Sequence, residues 1–258
     1  MRARRAGHDA RWLALLDDAL TGDGVDIEVQ PIVDIVAGRT DGYEALARFE
    51  HEDAEGVGPD VWFQRAREHE LLAELQAAAA VKALALMGSL APDRFIAINV
   101  EPDAIPHPAV RAALLDHGDL SRVAIELNEH AAWHWEQMAP TIAELRTRGA
   151  SFGMDDAGTG AEGIAHLERL APVYVKVHRD VIDGIASDPS RVAVLGVVQQ
   201  FAARADAGLV GVGVERLEDA LALRSLGVRH AQGYALSPPA PPWPDADPAA
   251  LGRLALGE

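Results

Sequence analysis

The sequence predicts an α/β fold, a closed (β/α)8 barrel of the TIM type with one antiparallel strand near its start. About eight short β-like runs are present, which is the number such a barrel needs, and helical stretches separate all but the first pair. A length of 258 residues also suits one barrel. An open doubly wound sheet is the alternative, but no Gly-x-Gly-x-x-Gly follows an early strand to support it.

The beginning of the chain predicts a helix followed by a β-hairpin. Large apolar residues recur at helical spacing over 8–20, and apolar residues then alternate with polar ones over 27–35. A turn at 37–39 leads to a second extended run over 43–49. Because a hairpin joins antiparallel neighbours, whereas a helix separates each later pair, we expect one reversed strand.

The rest of the chain predicts regular alternation within a single domain. Two helices are expected after residue 58, ending near residues 70 and 90. Strands are then predicted over 95–100, 122–127, 150–154, 173–177, 209–212 and 229–231, and helices near 106–116, 136–148, 161–169, 189–207 and 216–226. We expect one domain over 1–258 with its core at about 10–240, and a Pro-rich tail over 238–258 that is extended or loosely packed.

Composition restricts the classes of partner. The formal net charge of −17, from 40 acidic and 23 basic residues, disfavours DNA or RNA. The chain has no cysteine, so any metal must be held by oxygen or imidazole. The Arg-rich start lacks the apolar region of a signal peptide, and no run is expected to reach the ~18 apolar residues that span a bilayer. These features predict a cytoplasmic protein without a membrane span.

Polar side chains recur at the carboxyl ends of the predicted strands. They are Glu44, Asn99, Glu126, Asp155, Asp156, Lys176, Glu215 and Gln232. Singly, an Asp-Asp pair is more often a helix cap and an Asn a turn residue, but in a barrel all these strand ends converge on one pocket. Carboxylates that meet there need compensating charge, and oxygen ligands favour Mg²⁺, Mn²⁺ or Ca²⁺. Adjacent aspartates could hold two ions about 4 Å apart, an arrangement that activates water against a phosphodiester.

These residues lie in motifs that resemble the EAL domain, a family of bacterial second-messenger enzymes. The motifs are Gln30-Pro-Ile-Val-Asp34, Tyr43-Glu-Ala-Leu-Ala-Arg48, Ile98-Asn99, Ile125-Glu126-Leu-Asn-Glu129, Asp155-Asp156-Ala-Gly-Thr-Gly160, Val175-Lys176 and Gln232-Gly-Tyr-Ala-Leu-Ser237. They occur in the family's order over about residues 10 to 240. The resemblance implies a (β/α)8 barrel and hydrolysis of cyclic di-GMP to its linear dinucleotide with Mg²⁺ or Mn²⁺.

The resemblance also implies a role for each matching position. The metal ligands it implies are Glu44, Asn99, Glu126, Asp155 and Asp156, with the two aspartates reaching toward a second ion. The catalytic residues it implies are Glu44, Lys176 and Asp156, with Lys176 beside the attacking water. The substrate-binding positions are Gln30, Arg48 and Gln232, with Arg48 contacting a phosphate, and Glu129 stabilises the loop after the paired aspartates.

Three departures from the family pattern concern the side of the second metal. Val212 stands where the family has a glutamate ligand, His178 replaces an aspartate, and Ala157 replaces the phenylalanine of a mobile loop. His178 and Glu215 are candidate substitute ligands.

The sequence therefore predicts cyclic di-GMP binding through divalent metal, with hydrolysis weak or lost because of Val212 and His178. Two alternatives stay open: an active cyclic di-GMP phosphodiesterase with a rebuilt second-metal site, and a non-catalytic protein-interaction scaffold. The resemblance also raises a homodimer or a signalling protein as partners.

Overall fold

Eight strands close into a barrel in chain order in the computed structural model, which describes residues 2–21, 24–155 and 161–256. The strands are β1 (Val25–Asp34), β2 (Arg39–Phe49), β3 (Phe95–Asn99), β4 (Val123–Asn128), β5 (Ser151–Asp155), β6 (Tyr174–Val177), β7 (Gly208–Gly211) and β8 (His230–Ala231). The helices are α1 (Arg2–Thr21), α2 (Pro59–Glu68), α3 (Leu72–Ala85), α4 (Pro108–Leu115), α5 (Trp135–Thr147), α6 (Ala161–Leu170), α7 (Arg179–Ile182), α8 (Pro189–Arg204), α9 (Leu217–Ser225) and α10 (Pro248–Leu256). The predicted (β/α)8 barrel is confirmed.

Strand β1 is the one reversed strand of the barrel. It pairs antiparallel with β2 in the predicted hairpin and antiparallel with β8 where the barrel closes, while each later neighbouring pair is parallel. The hairpin register sets Gln30 opposite Glu44, so the two side chains belong to neighbouring positions on one face. Closure therefore brings the first strands of the chain beside the last.

The core has an inner and an outer part. Ile32, Ala97, Ala124, Tyr174 and Val210 form a small buried cluster separate from the large cluster that packs strands against helices. In a barrel the side chains of successive strand residues alternate between interior and exterior, which accounts for the two groups. The interior cluster lies directly below the polar residues at the strand ends.

Helix α3 departs from one expectation of the sequence. The segment Leu72–Ser89 is long and apolar enough, by length and composition alone, to cross a membrane. It is the one such segment in the described part of the chain, and its apolar side is used inside the domain. Leu72, Leu75, Ala80 and Leu84 are buried, and the helix contacts β1 and β3. This is the pattern of an outer helix of the barrel.

The Pro-rich tail packs more closely than the sequence predicted. Ala240 forms a backbone bridge with Val29, and the backbone N–H of Asp247 donates to the carbonyl of Leu236. The tail then ends in α10, where Ala250 and Leu254 are buried at i, i+4 spacing. The prediction of an extended or loosely packed tail is wrong for 248–256, where these two apolar residues share one buried helix face, whereas 238–247 contains no helix and bridges β1 at Ala240.

An ion-pair network joins β1 and β8 at the end of the barrel opposite the carboxyl ends of the parallel strands. Asp34 is fully buried, accepts from the backbone N–H groups of residues 36 and 37, and lies 2.7 Å from Arg229. Asp41 pairs with Arg39 at 2.9 Å and with His230 at 3.0 Å. Acidic and imidazole atoms here come within 4.8 Å of one another. Arg39 and Arg229 already compensate the charges of Asp41 and Asp34. The cluster is therefore explained as a structural ion-pair network that joins β1, β2 and β8.

Candidate functional site

Four side chains from alternating strands meet at the centre of the barrel. Lys176 on β6 lies 2.6 Å from Glu126 Oε2 on β4 and 2.9 Å from Glu44 Oε2 on β2. Gln232, which follows β8, donates to the same Glu44 oxygen at 2.8 Å. Alternate strands contribute one layer of side chains in such barrels, which is why these residues face one another. All four are buried.

Burial and mutual charge shift the pKa values of this layer strongly. Burial raises the pKa of Glu126 to about 8, and the Glu44 and Asp155 carboxylates add to that rise against the opposing effect of Lys176. Burial alone would also raise the pKa of Glu44, but the Lys176 ammonium and hydrogen bonds from Lys176, Asn99 and Gln232 lower it below its usual value. Burial opposes the charge on Lys176, yet its carboxylate neighbours raise its pKa above the usual range. Glu126 is thus the group whose charge is least compensated.

The remaining strand-end residues stand around this layer. Asn99 ends β3 and donates to Glu44 Oε1 at 2.7 Å. Gln30 on β1 accepts from Gln232 at 3.0 Å and donates to the carbonyl of Ser237 at 2.9 Å. Asp155 ends β5, is half-buried and lines the same cavity as Glu44 and Lys176. The structure therefore brings together seven of the polar positions that the sequence singled out.

The donor set at this point fits a hard divalent cation. Glu44, Asn99, Glu126 and Asp155 offer carboxylate and carboxamide oxygens, the ligands that Mg²⁺ and Mn²⁺ prefer. Gln232 Oε1 is also buried and accepts no hydrogen bond from any described residue, and such orphaned acceptors are uncommon in native proteins. An oxygen-rich site with several carboxylates around one lysine and a spare acceptor is suited to a cation.

A cavity of about 440 Å³ opens above this cluster, at the carboxyl ends of the strands. Its wall includes Val212, which directly follows β7 and packs against the interior cluster. His178 and Glu215 also line it, but both are engaged: His178 Nδ1 accepts the backbone N–H of Asp180 at the start of α7, and Glu215 lies 2.9 Å from Arg179. The β7 position of the site is therefore apolar.

Two further predicted residues stand beside the centre. Arg48 lies 2.7 Å from Glu28 and lines an adjoining pocket of about 320 Å³ together with Asn99. Glu129 follows β4 and is buried, and its carboxylate lies against the first turn of α6: a Cβ on Gly163 would come within 2.2 Å of Glu129 Oε1. A larger residue at 163 would therefore require the Glu129 carboxylate to move.

The predicted roles of Asp156 and Ala157 concern residues outside the described part of the chain. Asp155 is the last described residue before them.

Sequence patterns alone did not single out Tyr174 as a site residue. Its hydroxyl donates to Glu126 Oε1 at 2.7 Å, so Glu126 is held by Tyr174 on one oxygen and by Lys176 on the other. The signal was available, since Tyr174 precedes Lys176 by two residues and side chains at that spacing share a strand face. It was overlooked because an aromatic residue in a short strand is usually a core residue.

The sequence and the fold are similar to those of proteins of known family. The model of the EAL domain matches residues 14–239. Among curated relatives, the probable cyclic di-GMP phosphodiesterase PdeN of Escherichia coli is 29% identical over 226 residues, covering 83% of this chain and 43% of that protein. Cyclic di-GMP phosphodiesterase NbdA of Pseudomonas aeruginosa is 26% identical over 247 residues, covering 92% and 32%. The chain thus spans less than half the length of these two relatives.

Solved structures agree in fold. The MucR phosphodiesterase of Pseudomonas aeruginosa, in complex with cyclic di-GMP, superposes with a TM-score of 0.77 at 26% identity over 90% of this chain and 98% of that one. A manganese and cyclic di-GMP complex of Klebsiella pneumoniae BlrP1 gives 0.73 at 28% identity, covering 85% and 57%. The EAL domain of Xanthomonas citri FimX gives 0.81 at 22% identity, covering 93% and 97%, which supports the fold alone. With a family model that spans most of its length and a barrel of the same architecture, the chain belongs to the EAL domain family.

Proposed function

We propose that this domain binds cyclic di-GMP with a divalent cation at the carboxyl ends of the barrel strands, and that it hydrolyses the nucleotide weakly or not at all. The observation that carries the proposal is the contrast within one cavity. An intact cluster of oxygen donors around Lys176 lies on one side, and the apolar side chain of Val212 lies on the β7 side.

Retention of the donor cluster supports binding. Burying Glu44 and Glu126 around one lysine is energetically costly, and a surface scaffold has no physical need for it. Gln30 and Gln232 line the cavity above the cluster, and their carboxamide groups can recognise a nucleotide there. Relatives named as cyclic di-GMP phosphodiesterases and complexes that contain this nucleotide indicate the same ligand.

The apolar β7 position argues against efficient hydrolysis. A divalent cation at such a site lowers the pKa of a bound water and offsets the charge of the phosphodiester. Val212 offers no oxygen donor for a second ion. Substitution by Glu215 would require it to leave Arg179, and substitution through His178 Nδ1 would uncap α7. The Arg179–Glu215 pair is more than half exposed and is readily exchanged, so the absence of a donor at Val212 is the main argument against a second ion.

The residues of the chain still supply binding and orientation. Lys176 is fixed between two carboxylates, so its ammonium group is held ready to orient a water or neutralise a phosphate oxygen. The side chains of Arg48 and its ion-pair partner Glu28 are each about one-third exposed. Arg48 can therefore leave Glu28 and contact a ligand phosphate instead. Asn99 and Gln232 hold Glu44 from opposite sides and keep it from rotating.

The test is calorimetric titration with cyclic di-GMP in the presence of Mn²⁺, Mg²⁺ or EDTA, followed by chromatography for the linear dinucleotide. We expect binding that requires the cation and little or no product. Rapid product formation would support the active phosphodiesterase instead. Absence of nucleotide binding under all conditions would refute the proposal and favour a protein-interaction scaffold.

A substitution at the β7 position sharpens this test. We expect Val212→Glu to raise the turnover of bound nucleotide by about a thousandfold, which corresponds to about 4 kcal/mol of barrier. Val212→Gln is the matched control, since it adds a side chain of the same size without the charge. Equal turnover by the two variants and the parent would show that Val212 does not limit hydrolysis.

A further inference from the structure

Tyr174 is buried beneath the site and its hydroxyl is directed at one carboxylate. The side chain belongs to the interior cluster with Ile32, Ala97, Ala124 and Val210. Its oxygen lies 2.7 Å from Glu126 Oε1 in a buried contact. An apolar residue would fill the same space, so the hydroxyl is a feature that packing does not require.

Glu126 is held by two donors from the same strand. Tyr174 donates to Oε1 and Lys176 to Oε2, and both donors project from one face of β6. A carboxylate has about four lone-pair positions, of which these two bonds occupy two. The carboxylate therefore cannot turn without breaking a buried hydrogen bond, and its remaining lone pairs keep a fixed direction.

The backbone is shaped to admit the tyrosine ring. Gly153 on β5 lies beside it, and a Cβ at that position would fall 2.5 Å from Tyr174 Cε2. Phe95 lies on the other side, with ring centroids 6.3 Å apart. The ring thus packs against the neighbouring strand β5 at Gly153 and against Phe95 of β3, contacts that restrict the position of its hydroxyl.

We propose that Tyr174 is a positioning residue for a divalent cation, which it serves by orienting Glu126 through this hydrogen bond. The inference rests on the proposed function, since it requires that Glu126 be a ligand of the cation. Donors to metal-binding side chains set ligand orientation, and their removal typically weakens metal affinity by ~10- to 100-fold.

The experiment measures the dissociation constant of Mn²⁺ alone, without nucleotide, by calorimetry on the full chain. We expect Tyr174→Phe to bind Mn²⁺ about tenfold or more weakly than the parent. The matched control is Tyr43→Phe, which removes a hydroxyl from another buried tyrosine, outside the site, and should leave the affinity unchanged. Thermal unfolding of each variant separates a loss of affinity from a loss of fold.

Two isosteric replacements keep the test decisive if Tyr174→Phe folds poorly. p-Aminophenylalanine at position 174 retains a donor and should bind Mn²⁺ like the parent, whereas p-fluorophenylalanine fills the space without donating and should bind weakly. Equal affinity for these two variants, or for Tyr174→Phe and the parent, would overturn the inference while leaving the proposed function intact. Failure of the parent itself to bind Mn²⁺ would overturn both.

Discussion

Replacing Lys176 by methionine would test the electrostatics of the site most directly. The substitution keeps an unbranched side chain one atom shorter than lysine and removes the charge that lies 2.6 Å from Glu126 and 2.9 Å from Glu44. The lysine is 2% exposed and the Glu126 side chain is fully buried, so water cannot take over the role of the ammonium group. Removing one partner of a buried ion pair costs about 3–5 kcal/mol.

The loss of stability should depend on pH. Because the pKa of Glu126 is about 8 in the metal-free fold, this carboxyl group is ionised at pH 9 and mostly protonated at pH 6. Without Lys176 the pKa values of both carboxyl groups rise, because the lysine lowers them in the parent. At pH 9 the variant must therefore bury uncompensated carboxylates or take up protons that the unfolded chain does not bind, whereas at pH 6 Glu126 already carries its proton and the interaction lost is mainly that with Glu44. We therefore expect Lys176→Met to lower the free energy of unfolding by about 3–5 kcal/mol at pH 9 and by less at pH 6.

The assay is urea unfolding in EDTA at both pH values. The chain contains one other lysine, Lys82 on α3, which lies outside the site, and Lys82→Met should change stability by no more than about 0.5 kcal/mol. A loss below about 1 kcal/mol for Lys176→Met at pH 9, or an equal loss at both pH values, would refute the account of the buried charge layer.

Three further predictions follow from contacts described above. The metal-free protein should lose up to about 1.4 kcal/mol of stability per pH unit as pH rises from about 5 to 8, because Glu126 has a raised folded-state pKa; Glu126→Gln should remove this slope in urea unfolding. Gly153→Ala should lower stability by about 1–3 kcal/mol in the same assay, since its Cβ would overlap the Tyr174 ring. Asp34→Ala should destabilise by about 1–3 kcal/mol near pH 7, seen as a lower thermal midpoint, because two backbone N–H groups lose a buried acceptor, while Arg229 is 62% exposed and stays solvated; an unchanged midpoint would contradict a structural role for this ion pair.

The barrel was predictable because its signals are local and repeated. Each strand after the hairpin is a short apolar run, and each is followed by a helical stretch, so the order of elements follows from periodicity. The polar residues at strand ends were predictable for the same reason, since their position in a barrel decides where they point. Closure between β1 and β8 then follows from strand number.

Contacts between distant side chains were not predictable in the same way. The pairing of Arg48 with Glu28 depends on the hairpin register, and the capping of α7 by His178 depends on a short helix without its own periodicity. Tyr174 was missed because periodicity separates faces of a strand but does not distinguish a packed ring from a directed hydroxyl. The α10 helix was missed because five prolines precede it and dominate the composition of the tail.

Closure of the barrel by β1 and β8 also governs when the site can exist. Its hydrogen bonds join residues far apart in the chain: Glu44 and Gln232 are 188 residues apart, and Gln30 and Ser237 are 207 apart. Contacts of such sequence separation form late in folding because a long loop must close first. During synthesis, a chain that has not yet emerged as far as Gln232 therefore lacks the complete donor set, and ligand binding should report on completed folding. A ligand that contacts residues from both β2 and the segment after β8 should accordingly slow the separation of β1 from β8.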